Sequence, residues 1–121
     1  MRTNEAIVAV RRGGKILVVH RSRENGGYWH LVSGGVEAGE TDAEAAVREL
    51  SEETQLETTV ESLNFSFMHD GIHVEAFIAD APTSWEPVLD WEHDDYRWCT
   101  RAEAVELLYW PEPRAIVGML P

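Results

Sequence analysis

The sequence predicts an α/β (α+β) domain in which a mixed β-sheet lies between helices. β-branched apolar runs occur on both sides of a central amphipathic helix, and a second helix start lies near the end of the chain. The chain has 121 residues, of which 44% are hydrophobic, enough for one domain with its own core. Residues 1–121 are therefore expected to form a single domain.

The first part of the chain is predicted to form strands. Residues 6–10 and 15–20 are β-branched apolar runs joined by a Gly-containing connection, which is typical of a hairpin. Residues 28–32 are short and aromatic. Residues 33–39 are rich in glycine and are predicted to be a loop.

A helix is predicted to begin after Thr41 and to run to about Gln55. Thr41 and Glu44 have the spacing of a capping box, in which side chain and backbone at the helix start satisfy each other. Apolar residues at helical spacing indicate one core-facing stripe. These are Ala43, Ala46, Val47 and Leu50.

The second part of the chain alternates strands and helices. Residues 58–67 and 72–79 are predicted strands, and Asp70-Gly71 between them is a hairpin turn signal. Residues 85–92 are predicted to be a loop and residues 96–99 a strand. Thr100 and Glu103 form a second capping box, which predicts a helix that stops before Pro111. Residues 114–120 are predicted to form a last short helix.

Composition and charge narrow the classes of partner. The chain carries 22 acidic and 10 basic residues, a net charge of −12, so its surface repels a polyphosphate backbone and a nucleic-acid polymer is not expected to bind. The apolar run at residues 16–19 is too short to cross a bilayer, and no membrane association is expected. A polar start and a single cysteine, Cys99, favour a cytoplasmic protein. Monomer and homodimer both remain open.

Three carboxylates on the central helix indicate a cation site. Glu49, Glu52 and Glu53 are spaced so that they share one helix face, where they repel one another unless cations neutralise them. Hard oxygen ligands of this kind suit Mg²⁺, or Mn²⁺ as a substitute. Arg48 lies four residues from both Glu44 and Glu52, so we expect it to hold the edge of this group.

Glycines precede the helix that carries the carboxylates. Gly34, Gly35 and Gly39 are expected to let the chain turn tightly there. Backbone carbonyls of such a loop can add cation ligands, and its amides can face a phosphate near the helix start.

The order of these residues resembles the Nudix box. The box has Gly, five residues, Glu, seven residues, then Arg-Glu, an aliphatic residue, one further residue, Glu-Glu, one further residue, Gly and an aliphatic residue; here the matching residues are Gly34, Glu40, Arg48-Glu49-Leu50, Glu52-Glu53 and Leu56. The one mismatch is Gln55, where the family has Gly. The resemblance extends to residues 29–40 and to residues 92–98, where Glu92 precedes Trp98 by six positions, as a catalytic Glu does in many members.

The resemblance implies a Nudix α/β/α sandwich that hydrolyses a nucleoside diphosphate linked to a further group. By the same resemblance, one to three Mg²⁺ ions are held by Glu49, Glu52, Glu53, the Ser33 carbonyl and Glu92. Arg48 orients the carboxylates, Glu40 braces the loop, and either Glu52 or Glu92 is the general base. The candidate substrate-binding residues are Arg21, Arg23, Gly34, Gly35 and Tyr28.

The sequence departs from the family pattern at three positions. Val32 and Ser33 replace the usual Pro and Gly, but a backbone carbonyl at Ser33 remains available. Gln55 is expected to end the helix in the left-handed conformation, at a cost of about 1 kcal/mol relative to Gly.

Several alternatives remain open at this point. The leading substrate is an NTP, a dNTP or a dinucleoside polyphosphate; a nucleotide sugar or another diphosphate is the alternative within enzymes. A catalytically weak nucleotide-binding or sensor module is the alternative outside them. An isomerase of prenyl diphosphates would need a catalytic cysteine near the pocket, and Cys99 is expected to point into the core. Trp85 and Trp91 are candidate base-stacking residues, although packing is the more common role, and His69 and His73 are interpreted as structural.

Overall fold

A computed structural model describes residues 3–121, in which one seven-stranded mixed sheet is covered on both faces. The strands are β1 (Asn4–Arg12), β2 (Lys15–Arg21), β3 (Trp29–His30), β4 (Val32–Gly35), β5 (Glu61–His69), β6 (Ile72–Asp80) and β7 (His93–Cys99). The helices are α1 (Asp42–Thr54), α2 (Arg101–Leu107) and α3 (Pro111–Met119). The predicted mixed sheet between helices is confirmed.

Strand β1 lies at the centre of the sheet. It pairs in parallel with β6 along its whole length, and antiparallel with β4 near its start and with β2 near its end. Strand β2 continues the sheet by pairing antiparallel with β7 and β3, and β5 forms the other edge beside β6. This order brings β4 next to the start of β1, directly in front of α1.

Alternating side chains of β1 and β6 divide the core into two layers. Ala6, Val8 and Val10 pack on the side of α1 with Ala46 and Leu50. The intervening residues of the two strands, Ile7, Ala9, Val74 and Ala76, pack on the opposite side with Ala104 of α2 and with Ile116 and Val117 of α3. No helix within residues 3–121 is long and apolar enough to cross a membrane.

The helix ends agree with the local signals in the sequence. Both predicted capping boxes form, at Thr41–Glu44 and at Thr100–Glu103. Gln55 ends α1 with φ 66°, the left-handed conformation expected at this position. Helix α3 begins at Pro111, three residues earlier than predicted, because proline is well suited to the first turn of a helix.

Two local predictions are wrong. Ser33, Gly34 and Gly35 belong to strand β4 rather than to a loop, because they pair with β1. The core stripe of α1 does not include Ala43, which is exposed; Ala45 is buried instead. The buried stripe is therefore rotated around the helix relative to the predicted one. As a result, Glu53 near the end of α1 is buried.

Candidate active site

The three carboxylates of α1 have very different environments. The Glu52 side chain is 57% exposed, that of Glu49 is 13% exposed and that of Glu53 only 3%. The three residues have the expected helical spacing, but because the core stripe is rotated the Glu53 side chain lies inside the protein. The group therefore extends from solvent into the interior.

Arg48 connects the carboxylates to the chain in front of the helix. Its guanidinium donates to Glu49 Oε1 at 2.7 Å and to Glu52 Oε1 at 3.1 Å. It also donates to Glu40 Oε2 at 2.7 Å and to the Gly35 carbonyl at 2.8 Å. Hydrogen bonds to Glu40 and then Glu49 raise the pKa of Arg48, so its charge is permanent.

One expected partner of Arg48 is different in the structure. Glu44 does not bond Arg48, because its carboxylate accepts from the Thr41 amide in the capping box. Glu40 takes its place, and it also accepts from the Glu37 amide at 2.9 Å. Glu40 thus braces the segment between β4 and α1, and its bond to Arg48 lowers the pKa of its carboxyl group.

Gly34 is required for close approach rather than for a turn. A Cβ atom at this position would collide with the carboxylate of Glu49. With glycine at position 34, the Glu49 carboxylate can lie against strand β4 without moving aside. The Gly35 carbonyl is already used by Arg48, whereas Gly39 has φ 82° and does form a turn, as expected.

Glu53 is buried among other carboxylates. Burial, followed by the neighbouring Glu49 carboxylate, raises the pKa of Glu53 far above its ordinary value, and Asp90 and Glu92 act in the same direction. Its Oε1 atom is buried without a hydrogen-bond partner among the residues that the structure describes. The other such atom is His93 Nε2, which lies 3.6 Å from it.

Glu92 reaches the same region from the segment that precedes β7. Its nearest cation is Arg21 at 4.0 Å, and burial followed by Asp90 raises its pKa. Glu92 and Glu49 both line one cavity of about 320 Å³. A cavity of this size lies within the usual range for small-molecule sites.

The cavity brings together most of the residues that the sequence indicated. Its lining includes Arg21, Tyr28, Ser33, Gly34, Gly35, Glu49 and Glu92. Arg23 does not line it; this residue is exposed on a short turn, Arg23–Asn25. Trp85 packs against Trp98, with ring centroids 6.1 Å apart. Trp91, next to Glu92 in the chain, is 78% exposed.

Part of the cavity wall is aromatic, and sequence reasoning missed most of it. Trp110, which precedes α3, makes edge contacts with His69 at 5.0 Å and with Tyr28 at 6.1 Å. Phe67 and His30 complete this wall. Burial lowers the pKa of His30 to about 4, so its ring is neutral at pH 7. No sequence signal joins Trp110 to His69, because they come from distant elements.

A second group of possible ligands lies elsewhere. Asp42, His73 and Glu75 place ligand atoms within 4.8 Å of one another, and within residues 3–121 this is the only compact group of that kind. His73 and Glu75 lie on β6 beside the first turn of α1. Glu49, Glu52 and Glu53, the box carboxylates, lie instead in the last turns of the helix. His73, which was interpreted as structural from the sequence, therefore lies close to two acidic side chains.

The box carboxylates fit a hard divalent cation. They are oxygen donors, their charge exceeds that of Arg48, and Glu53 has a buried oxygen without a partner. Arg48 holds Glu49 and Glu52 in the present arrangement, so these side chains have to turn from the guanidinium to share a cation.

Comparisons with known proteins agree with this description. The sequence model of the NUDIX domain matches residues 1–118. The CTP pyrophosphohydrolase of Escherichia coli is 32% identical over 113 residues, covering 88% of this chain and 82% of that protein. An octanoyltransferase of Myxococcus xanthus is 33% identical and covers 89% of this chain, but the chain spans only 33% of that relative's length.

A solved structure extends the likeness to the fold. The E. coli dihydroneopterin triphosphate pyrophosphohydrolase superposes with a TM-score of 0.88 and 21% identity, covering 98% of this chain and 94% of that one. At this level of identity the likeness concerns the fold alone.

Proposed function

Because the chain belongs to the NUDIX domain family, we propose that it is a Mg²⁺-dependent hydrolase of a pyrophosphate bond in a nucleoside diphosphate linked to a further group. The observation that carries the proposal is the shared cavity, which is lined by Glu49 and Glu92 and by several aromatic side chains. Carboxylates that hold cations suit the polyphosphate, and aromatic rings suit a base. The same cavity therefore offers cation-binding carboxylates to the phosphates of a nucleotide and aromatic rings to its base.

Five groups are proposed to hold the cations. They are the carboxylates of Glu49, Glu52, Glu53 and Glu92 and the backbone carbonyl of Ser33. When bound, Mg²⁺ neutralises the phosphate oxygens and lowers the pKa of a bound water. Mn²⁺ is the expected substitute because it accepts the same oxygen ligands.

The remaining roles follow from position. Arg48 orients Glu49 and Glu52 through the bonds described above. Arg21, at the mouth of the cavity beside Tyr28, is placed to contact the phosphates of the substrate. Gly34 leaves room for the Glu49 carboxylate, the Gly35 carbonyl accepts from Arg48, and Arg23 is a weaker candidate because it is exposed outside the cavity.

Glu92 is the better candidate for the general base. It lines the cavity, and a raised pKa brings a carboxylate closer to the range in which it accepts a proton effectively at neutral pH. Glu52 is largely exposed and is held by Arg48. A pH–rate profile of Glu92→Gln, compared with that of Glu52→Gln, tests the assignment. Loss of the acid limb only in Glu52→Gln would assign the base to Glu52.

The substrate is proposed to be an NTP, a dNTP or a dinucleoside polyphosphate. The aromatic wall with Tyr28 and Trp110 favours a base over a sugar as the group bound there, and a relative that matches most of the chain is a CTP pyrophosphohydrolase. The proposed cytoplasmic location is consistent with such substrates.

A substrate panel tests the proposal. NTPs, dNTPs, dinucleoside polyphosphates and nucleotide sugars are incubated with Mg²⁺, and the products are separated by chromatography. We expect turnover of an NTP or a dinucleoside polyphosphate, with the released phosphates identifying the bond attacked. Tight nucleotide binding without turnover would instead support a sensor module. An isomerase is not favoured, because Cys99 is 4% exposed within the core and does not line the cavity.

A further inference from the structure

His93 stands out among the buried polar residues because one side of its ring is anchored and the other is not. The side chain is 1% exposed, and its Nδ1 atom lies 2.9 Å from Asp90 Oδ1. Its Nε2 atom faces Glu53 Oε1 at 3.6 Å. A buried polar atom without a partner destabilises a fold, so two such atoms facing each other require an explanation.

The surrounding backbone fixes the ring relative to α1. The Asp90 amide donates to the Glu53 carbonyl at 3.3 Å, and the Val88 amide donates to the Thr54 carbonyl at 3.0 Å. The His93 amide donates to the Asp90 carbonyl at 3.3 Å, which closes a turn that contains Glu92. One short segment thus carries Glu92, holds the His93 ring and is bonded to the end of α1.

We propose that His93 is a positioning residue, whose buried ring, fixed by Asp90, holds the Glu53 carboxylate toward the cation site and sets its spacing from Glu92. The inference rests on the proposed function. A histidine that served only the core would be satisfied by partners at both nitrogens or packed against apolar groups. This ring instead directs its second nitrogen at a candidate cation ligand. Partners of this kind orient the groups that bind metals, and their loss typically lowers metal affinity about 10- to 100-fold.

Two matched variants separate positioning from packing. The terminal amide of Gln reaches about as far as Nε2 of His, and that of Asn about as far as Nδ1. His93→Gln therefore keeps a polar atom facing Glu53, whereas His93→Asn keeps only the contact with Asp90. Both variants remove the ring, and Asn also lacks one methylene group that Gln keeps, so the melting temperature of each variant without metal measures its loss of packing.

The test measures Mn²⁺ binding alone, by calorimetry or by electron paramagnetic resonance, together with the melting temperature without metal. We expect His93→Asn to weaken Mn²⁺ binding about 10- to 100-fold and His93→Gln to stay within about threefold of the wild type. In the Glu53→Gln background the Asn substitution is expected to have no further effect, since the positioned carboxylate is gone. If either variant does not fold, Asp90→Ala, which removes the acceptor of His93 Nδ1, is expected to weaken Mn²⁺ binding about threefold or more relative to Asp90→Asn, which removes the same charge but keeps an acceptor oxygen.

The outcomes distinguish the two proposals. Wild-type protein that binds Mn²⁺, with His93→Asn binding equally well, would overturn the role of His93 and leave the hydrolase proposal intact. Equal weakening in both variants, in proportion to their loss of melting temperature, would also overturn it and indicate packing. Wild-type protein that binds no Mn²⁺ and turns over no nucleotide would overturn both.

Discussion

Two charged clusters on this protein differ in their balance of charge, with excess carboxylates in one and equal numbers of acidic and basic groups in the other. In the Arg48 cluster (Arg48, Glu40, Glu49 and Glu52), one guanidinium bonds three carboxylates. In the Glu86 cluster (Glu86, Arg12, Tyr96 and Trp98), one carboxylate accepts from three donors: the Arg12 guanidinium, the Trp98 indole at 2.8 Å and the Tyr96 hydroxyl at 3.1 Å. The Arg48 cluster has three carboxylates for one guanidinium group, whereas in the Glu86 cluster three donors satisfy one carboxylate.

The difference separates a binding site from a structural contact. Polar networks whose groups are satisfied stiffen a fold, and the Glu86 cluster ties the loop after β6 to β1 and β7 in this way. The Arg48 cluster adjoins Glu53, whose buried oxygen has no partner in residues 3–121. A cation that binds to this excess of negative charge beside the cavity is expected to stabilise the folded protein. The comparison therefore predicts that changes to the two clusters will affect different measurements.

The largest effect is expected from Glu53→Gln. Removing this ligand is expected to lower kcat by more than the roughly 100-fold typical of losing an outer-shell partner. In metal-free protein the melting temperature is expected to stay or rise, because burial beside other carboxylates forces the Glu53 carboxyl group to give up its charge on folding, and Gln avoids that cost. Steady-state kinetics and thermal melting measure the two effects. Near-normal Mg²⁺-dependent turnover would remove Glu53 from the site.

The next effect concerns stabilisation by the cation itself. A ligand that binds only the folded state at 100 times its Kd stabilises that state by about 2.7 kcal/mol. Mg²⁺ titration is therefore expected to raise the melting temperature of the wild type and of Glu86→Gln, but not of Glu53→Gln. A rise in all three proteins would place the bound cation away from Glu53, with the Asp42, His73 and Glu75 group as the first alternative to test.

A smaller effect, confined to stability, is expected from Glu86→Gln. The bonds from Arg12, Trp98 and Tyr96 lower the pKa of Glu86. A lowered carboxyl pKa contributes stability above the unfolded value of about 4.5, and the contribution is lost as pH falls through the folded pKa. The variant should thus melt below the wild type at pH 7 with unchanged turnover, and the gap should shrink toward pH 3. A gap that widens at low pH would contradict this role.

The smallest effect is expected at the end of the helix that carries the Arg48 cluster. Gln55 has φ 66°, so Gln55→Gly is expected to stabilise the protein by about 1 kcal/mol with little effect on turnover. Gln55→Ala is the matched control and is not expected to stabilise, since alanine keeps the Cβ atom. A lower melting temperature for Gln55→Gly would mean that the Gln55 side chain makes contacts that outweigh its backbone strain.

Much of the frame of the site could be predicted from sequence, because it depends on neighbours along the chain. The capping box at Thr41, the left-handed Gln55 and the order of acids on α1 are local features. The bond between Arg48 and Glu40 was not among the expected contacts, because it spans eight residues across the turn before the helix. The glycine at position 34 was recognised, but for the wrong reason. Its need for close approach to Glu49 appears only when β4 is placed over α1.

The sequence by itself determined most of the elements, the caps of α1 and α2 and the order of acids along α1, since hydrogen bonds and side-chain spacing over a few residues fix these. Only the tertiary structure decided that Glu53 is buried, that His93 faces it and that Trp110 and His69 close the cavity. These contacts join residues about 40 positions apart in the chain, so they depend on strand register and on the rotation of α1 over the sheet. Packing of the whole core sets both, and no local pattern records them.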